Sequence, residues 1–222
     1  DLDIRAPLLA PGSAVRLLPL TAGRNITLGD AAQGLPALRV FLSAAELARV
    51  DVGADGRLAI GAVGSTPAGR ITFGGQALDF GRDGDTAQTV GRLDLGASVA
   101  IEQTAGTLRV EELTLTLDTA NRRPAFFFAF PGVTVPIPVP DTSPARIALG
   151  GENAIGRVLG ATLRVDPASP GTGAGHNTIL LRQAAGEALD IAGPVTLEQA
   201  GGRITLVADA LTLGAAVTAP SA

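Results

Sequence analysis

Residues 69–81 (GRITFGGQALDFG) return near the other end of the chain as residues 202–214 (GRITLVADALTLG). The two stretches align without a gap, and seven of thirteen positions are identical. Such self-similarity marks a repeat architecture and limits what the rest of the chain can become. Each unit is a glycine-bounded apolar/polar/apolar triplet, a turn, and a second triplet, which reads as strand, corner, strand. Alternate side chains of a strand face opposite ways, so Ile71 turns to one face while Thr72 turns to the other.

The unit recurs as GRNITLGD at 23–30, GRLAIG at 56–61 and GRLDLG at 91–96. A looser match runs from 93–110 to 189–206 and repeats the pairs Glu102-Gln103 and Glu198-Gln199. Strands this short cannot bury a hydrophobic face alone. Stacked as coils, their Ile, Leu, Val and Phe form a continuous column, each backbone pairing with the coil above and below at about 4.8 Å. The chain therefore predicts one all-β parallel β-helix, a solenoid over residues 1–222. At roughly 20–25 residues per coil it makes about ten coils and a rod of about 45–50 Å. Glycine is expected to supply positive φ at the corners. A β-sandwich is the alternative, since it also has short strands and frequent turns. One helical turn or two is predicted after Ser43, where Glu46 completes capping-box spacing.

Residues 121–144 break the rhythm. Phe126, Phe127, Phe128 and Phe130 precede Pro131, Pro136, Pro138, Pro140 and Pro144. Proline cannot donate to a ladder, so this segment reads as an insertion leaving the solenoid, extended from Val135 to Pro140. Four rings in five residues cannot all point inward on a strand. Phe126, Phe127, Phe128, Phe130, Val135, Ile137 and Val139 are accordingly the candidate partner interface, for self-association or contact with a host or cell surface. The competing reading folds the insertion back over its own solenoid.

Composition removes several function classes. All 17 basic residues are arginine, scattered singly apart from Arg122-Arg123, so no stripe follows a nucleic-acid backbone. No apolar run reaches membrane-spanning length. Cysteine is absent, which excludes disulfides and thiolate metal sites. His176, in GTGAGHN, is the one histidine and cannot build a multi-histidine centre. That glycine loop lacks the ending of a phosphate loop. Asp79, Asp83 and Asp85 form the densest acidic patch, read as a solvated corner or, more sharply, a weak calcium loop. The repeated Glu-Gln pairs suggest a hydrogen-bonded corner, because an active site is normally built once. No catalytic, cofactor or metal set emerges, and an enzyme acting on polysaccharides would need convergent carboxylates that the sequence does not display. Asp1 opens the sequence without an initiator Met or a signal-peptide pattern, which reads as a piece of something longer. Neither end carries a charged or helical cap, so the ends are expected either to be cut from a longer rod or to pair with other copies.

The run 25–29 (NITLG), then 42–50 (LSAAELARV), then 56–61 (GRLAIG) and 69–72 (GRIT) resembles the bacterial filamentous-haemagglutinin-type adhesins. The resemblance is tightest over 23–81. It implies a right-handed parallel β-helix, two-partner secretion, an extracellular or cell-surface location, and a non-enzymatic role as an adhesive rod. The family's N-terminal secretion domain has no counterpart in this sequence, so export rests on analogy. A self-assembling extracellular filament subunit is the second reading, and a carbohydrate-active β-helix enzyme the third.

Overall fold

The computed structural model describes residues 3–29, 39–61, 67–82, 89–122, 128–130, 133–135, 143–167 and 177–220. They form an all-β protein in which a large sheet carries most of the strands and strand pairing is parallel. The exception is the antiparallel pair Phe128–Phe130 with Val133–Val135. A β-sandwich is built from antiparallel sheets, so this pairing counts against that alternative.

Register turns the sequence repeats into columns. Val15, Leu58, Leu93, Leu113, Val158, Ile191 and Leu213 lie side by side on seven successive strands. A second column contains Val40, Ile26, Ile71, Ile101, Ile147, Ile179 and Ile204. A third runs Leu17, Ile60, Leu95, Leu115, Ala161, Val195 and Val217. Their middle members are fully buried and belong to one hydrophobic core. At about 25 cal/mol per Å² of apolar surface removed from water, such columns supply the main favourable term of folding.

Among the described residues each column has seven strands, fewer than the ten levels expected of a uniform repeat. Successive members of the first column are 43, 35, 20, 45, 33 and 22 residues apart, so long excursions consume chain that a uniform repeat would have spent on strands. One excursion leaves the strand Leu108–Asp118 at the turn Thr119–Asn121, and the sheet resumes with Arg146–Arg164. Its root is fastened where Arg122 Nε donates to the Ser98 carbonyl at 3.2 Å and the buried Thr119 Oγ1 accepts from Asp166 N at 2.7 Å.

Among the described residues the strand order also departs from chain order at one place. Arg39–Leu42 pairs beside the earlier strand Asn25–Leu28 and forms the edge of the large sheet. Helix Ala44–Leu47 then follows, starting at the predicted cap. Ser43 Oγ accepts from Glu46 N at 3.2 Å, and Glu46 Oε2 accepts from Ser43 N at 2.8 Å. A four-residue helix has no stability of its own. Its hold is the buried Leu47 together with this box. Ser43→Ala is expected to lower stability by about 1 kcal/mol, read as a shift of the urea midpoint; an unchanged midpoint would mean the box contributes nothing.

The glycine expectation is half right. Gly29 and Gly61, which close their units, have φ of +86° and +68°. Gly69 and Gly91, which open theirs, do not take positive φ and instead lie against the backbone of a neighbouring segment, whereas Gly23 opens its unit at +82°.

Candidate functional site

Three places could carry function: an outward groove, a set of polar corners, and the two ends of the columns. The groove, of about 330 Å³, lies across the outward faces of the strands Ala14–Leu17, Gly53–Ile60, Val90–Gln103 and Leu108–Asp118. Small residues at Ala59, Gly61 and Gly96 make the depression, and Arg16, Arg57, Thr114 and Thr116 stand around it. Asp94 is its one carboxylate and is nearly buried. It accepts from Arg92 Nε at 2.9 Å and pairs with Arg57. General acid–base cleavage of a glycosidic bond needs two carboxyl groups flanking the bond. This groove offers one, already neutralised by two guanidinium groups.

The polar corners hold the chain's most elaborate hydrogen bonding. Asn153 is fully buried. Its Oδ1 accepts from Gln103 Nε2 at 3.0 Å and from Leu108 N at 2.9 Å, while its Nδ2 donates to Gln103 Oε1 at 3.0 Å and the Arg182 carbonyl at 3.1 Å. Gln103 Oε1 also accepts from Gly151 N at 2.9 Å. Gln183, beside Asn153 in the next strand, accepts from Ile155 N at 3.1 Å and donates to the Ala188 carbonyl at 2.9 Å. Asn177 Oδ1 takes Ala145 N at 2.9 Å, and its Nδ2 donates to Gln199 Oε1. Buried amides satisfied on every side fix a backbone turn but leave no atom for a substrate.

The repeated Glu-Gln pairs thus have structural partners. Glu102 pairs with Arg70 Nη1 at 2.5 Å and with Arg146, and Glu198 lies 3.5 Å from Arg164. The two pairs are not at equivalent register, however. Leu93 shares its column with Ile191 rather than with Leu189, its partner in the ungapped alignment. Sequence reasoning also missed Asn153, Asn177 and Gln183. The available signal was a lone amide beside an apolar strand, as in GENAIG, HNTILL and LLRQAA.

The remaining candidates resolve unevenly. Asp79 is a corner residue: its Oδ1 accepts from Gly81 N at 2.9 Å, and its other oxygen lies 3.5 Å from Arg109. Asp83, Asp85 and His176 lie outside the described residues, as do Phe126, Phe127, Ile137 and Val139. Phe128, Phe130 and Val135 fall in the antiparallel pair, with Phe128 opposite Val135. Among the described residues no three His, Cys, Asp or Glu side chains gather to hold a metal ion, and no helix is long and apolar enough to cross a membrane.

The ends are where apolar surface is open. Among the described residues, the exposed large apolar side chains are Leu8, Leu9, Leu18 and Leu20, then Val207, Leu211, Leu213 and Val217. Leu8 and Leu9 form a strand of their own paired with Val50–Asp51, Leu18 and Leu20 follow the strand Ala14–Leu17, and the last four lie on or beside the final strands. Leu213 is 56% exposed, whereas Ile191, one strand earlier in its column, is 0% exposed. At the opposite end Leu17, Leu18, Pro19, Leu20, Ile26, Val40 and Leu42 line an apolar socket of about 300 Å³ with Arg24 at its rim. No protein-family model, curated protein or solved structure matches this chain.

Proposed function

We propose that this chain is a non-enzymatic structural rod, a right-handed parallel β-helix that serves as an exported, adhesive segment of a filamentous-haemagglutinin-like surface protein. The observation that carries the architectural part is the set of seven-membered columns of apolar side chains in parallel register. A backbone that returns to the same residue column every 20 to 45 residues, and places the members of a second column in between, winds naturally as a solenoid. Handedness, export and adhesion come from the resemblance over 23–81. The non-enzymatic part is supported by a groove with one ion-paired carboxylate and by amides that are fully engaged in corners.

Cryo-electron microscopy of the material as isolated from its source tests this reading. Rods with strand layers about 4.8 Å apart along their axis are the expected result. Compact particles lacking that axial spacing, or release of new reducing ends from polysaccharides incubated with the chain, would overturn it. A second reading, a self-assembling filament subunit, is favoured by one observation: among the described residues, Leu18, Leu20, Leu211, Leu213 and Val217 are exposed large apolar side chains on or beside strands of the columns.

A further inference from the structure

Arginines that stand singly in the sequence are gathered by strand register into one file. Arg39 lies beside Asn25 on the neighbouring strand, and the pairing of Ile26 with Ile71 sets Asn25 beside Arg70. Arg70 neighbours Ala100, Ala100 neighbours Arg146, Arg146 neighbours Thr178, and Thr178 neighbours Arg203. An arginine thus occupies every second strand, with Asn25, Ala100 and Thr178 on the strands between. The residues that follow these arginines, Val40, Ile71, Ile147 and Ile204, belong to the inward column, so alternation turns the arginines to the outward face. At about 4.8 Å per strand the charges recur at about 10 Å, and the file runs about 29 Å along the stack.

Little opposes this charge. The adjoining outward column holds Phe41, Thr27, Thr72, Glu102, Ala148, Leu180 and Thr205, with Glu102 its one carboxylate. Glu102 is nearly buried and pairs with both Arg70 and Arg146. Arg39 and Arg203 are exposed, and among the described residues no carboxylate pairs with either. Four guanidinium groups therefore face a single carboxylate across the two columns.

From this file we infer that the outward face binds a linear polyanion laid along the stack, a polysaccharide with one carboxylate per disaccharide. Guanidinium groups match carboxylates through paired N–H donors. An extended polysaccharide presents the same side of its chain once per disaccharide, a length on the scale of the arginine repeat, so successive carboxylates meet successive arginines. A nucleic-acid strand fits less well, since its charges lie about 3.4 Å apart. Its bases also need aromatic side chains to stack on, and Phe41, the one aromatic residue of these columns, is buried. A bilayer is met by basic residues together with exposed large apolar side chains, and among the described residues neither column exposes one. The inference deepens the adhesive reading and rests on it, because it names what such a rod grips.

The test titrates the full chain with hyaluronan, which is linear, unsulfated and carries one carboxylate per disaccharide, at low and at raised salt. Binding that weakens as salt rises is expected, because released counterions drive the association. Arg39→Gln with Arg203→Gln is expected to weaken it roughly fivefold to tenfold and to flatten the salt dependence. Arg5→Gln with Arg16→Gln removes the same net charge at exposed positions outside the file and is expected to leave the affinity unchanged. Urea midpoints equal to that of the unaltered chain confirm that both variants fold. Absence of binding to hyaluronan, an equal loss in the two variants, or tighter binding to single-stranded DNA or anionic vesicles at the same salt would each overturn the inference. Binding that both variants retain in full overturns the file and leaves the adhesive reading standing. Binding lost with the file, but accompanied by new reducing ends in the polymer, upholds the file and overturns the non-enzymatic reading.

Discussion

Gly91→Ala is expected to lower the stability of the folded chain by about 4 kcal/mol, among the largest effects a single methyl group can have. A Cβ at this position falls 1.7 Å from the carbonyl oxygen of Ala54, and the obstacle is backbone that cannot rotate aside. A Cβ added to Gly69, which opens the same kind of unit, would fall 2.3 Å from the carbonyl oxygen of Gly23. Overpacking of this kind must displace a strand, and with it the register of a column. Gly186 supplies the contrast. Its φ is +84° and nothing lies within 4 Å of an added Cβ, so Gly186→Ala carries only the left-handed backbone penalty of about 1–2 kcal/mol. Urea denaturation of both variants decides the matter. Equal midpoints for the two would mean that close approach is not what Gly91 provides.

Asn153→Ala is expected to destabilise by about 3 kcal/mol, because it strands Leu108 N in a fully buried place where water cannot replace the lost acceptor. Gln103→Ala removes the same network from the other side and leaves Gly151 N and the Asn153 amide short of partners. The two changes share their bonds, so their effects should fall short of additive by about 1 kcal/mol or more in a double-mutant cycle. Strict additivity would show the corner to be two independent hydrogen bonds rather than one network.

These two sites also mark what the sequence could and could not disclose. The pairing of GRITFG with GRITLV was legible and correct in its first half: Ile71 and Ile204 share a column, as do Thr72 and Thr205. Alternation of apolar and polar residues in a three-residue strand fixes which side chains face the core, so identical triplets adopt identical register. The second half slipped. Asp79 pairs with Arg109, whereas Thr212, its aligned counterpart, continues the column of Glu112, Arg157 and Asp190, three residues further along. Corners of different lengths intervene, and an ungapped alignment does not register them. The cap at Ser43 was legible because its chemistry is local. The backward placement of Arg39–Leu42 was not, since nothing in RVFL distinguishes a strand laid above its predecessor from one laid below. The corner amides escaped for a related reason. Asn153 earns its place through Gln103, fifty residues away, and no local pattern records that distance.

The uneven spacing of the columns has a mechanical consequence. The hydrogen bonds between neighbouring strands run along the column axis, so tension applied along that axis loads them a rung at a time instead of shearing many together. Each rung that yields exchanges a rise of about 4.8 Å for the contour of the chain it held. With 20 to 45 residues between successive rungs, the released lengths range from roughly 70 Å to roughly 150 Å at full extension. In the proposed solenoid, stretching between two anchored points should lengthen the chain in unequal jumps at modest force, one strand released at a time.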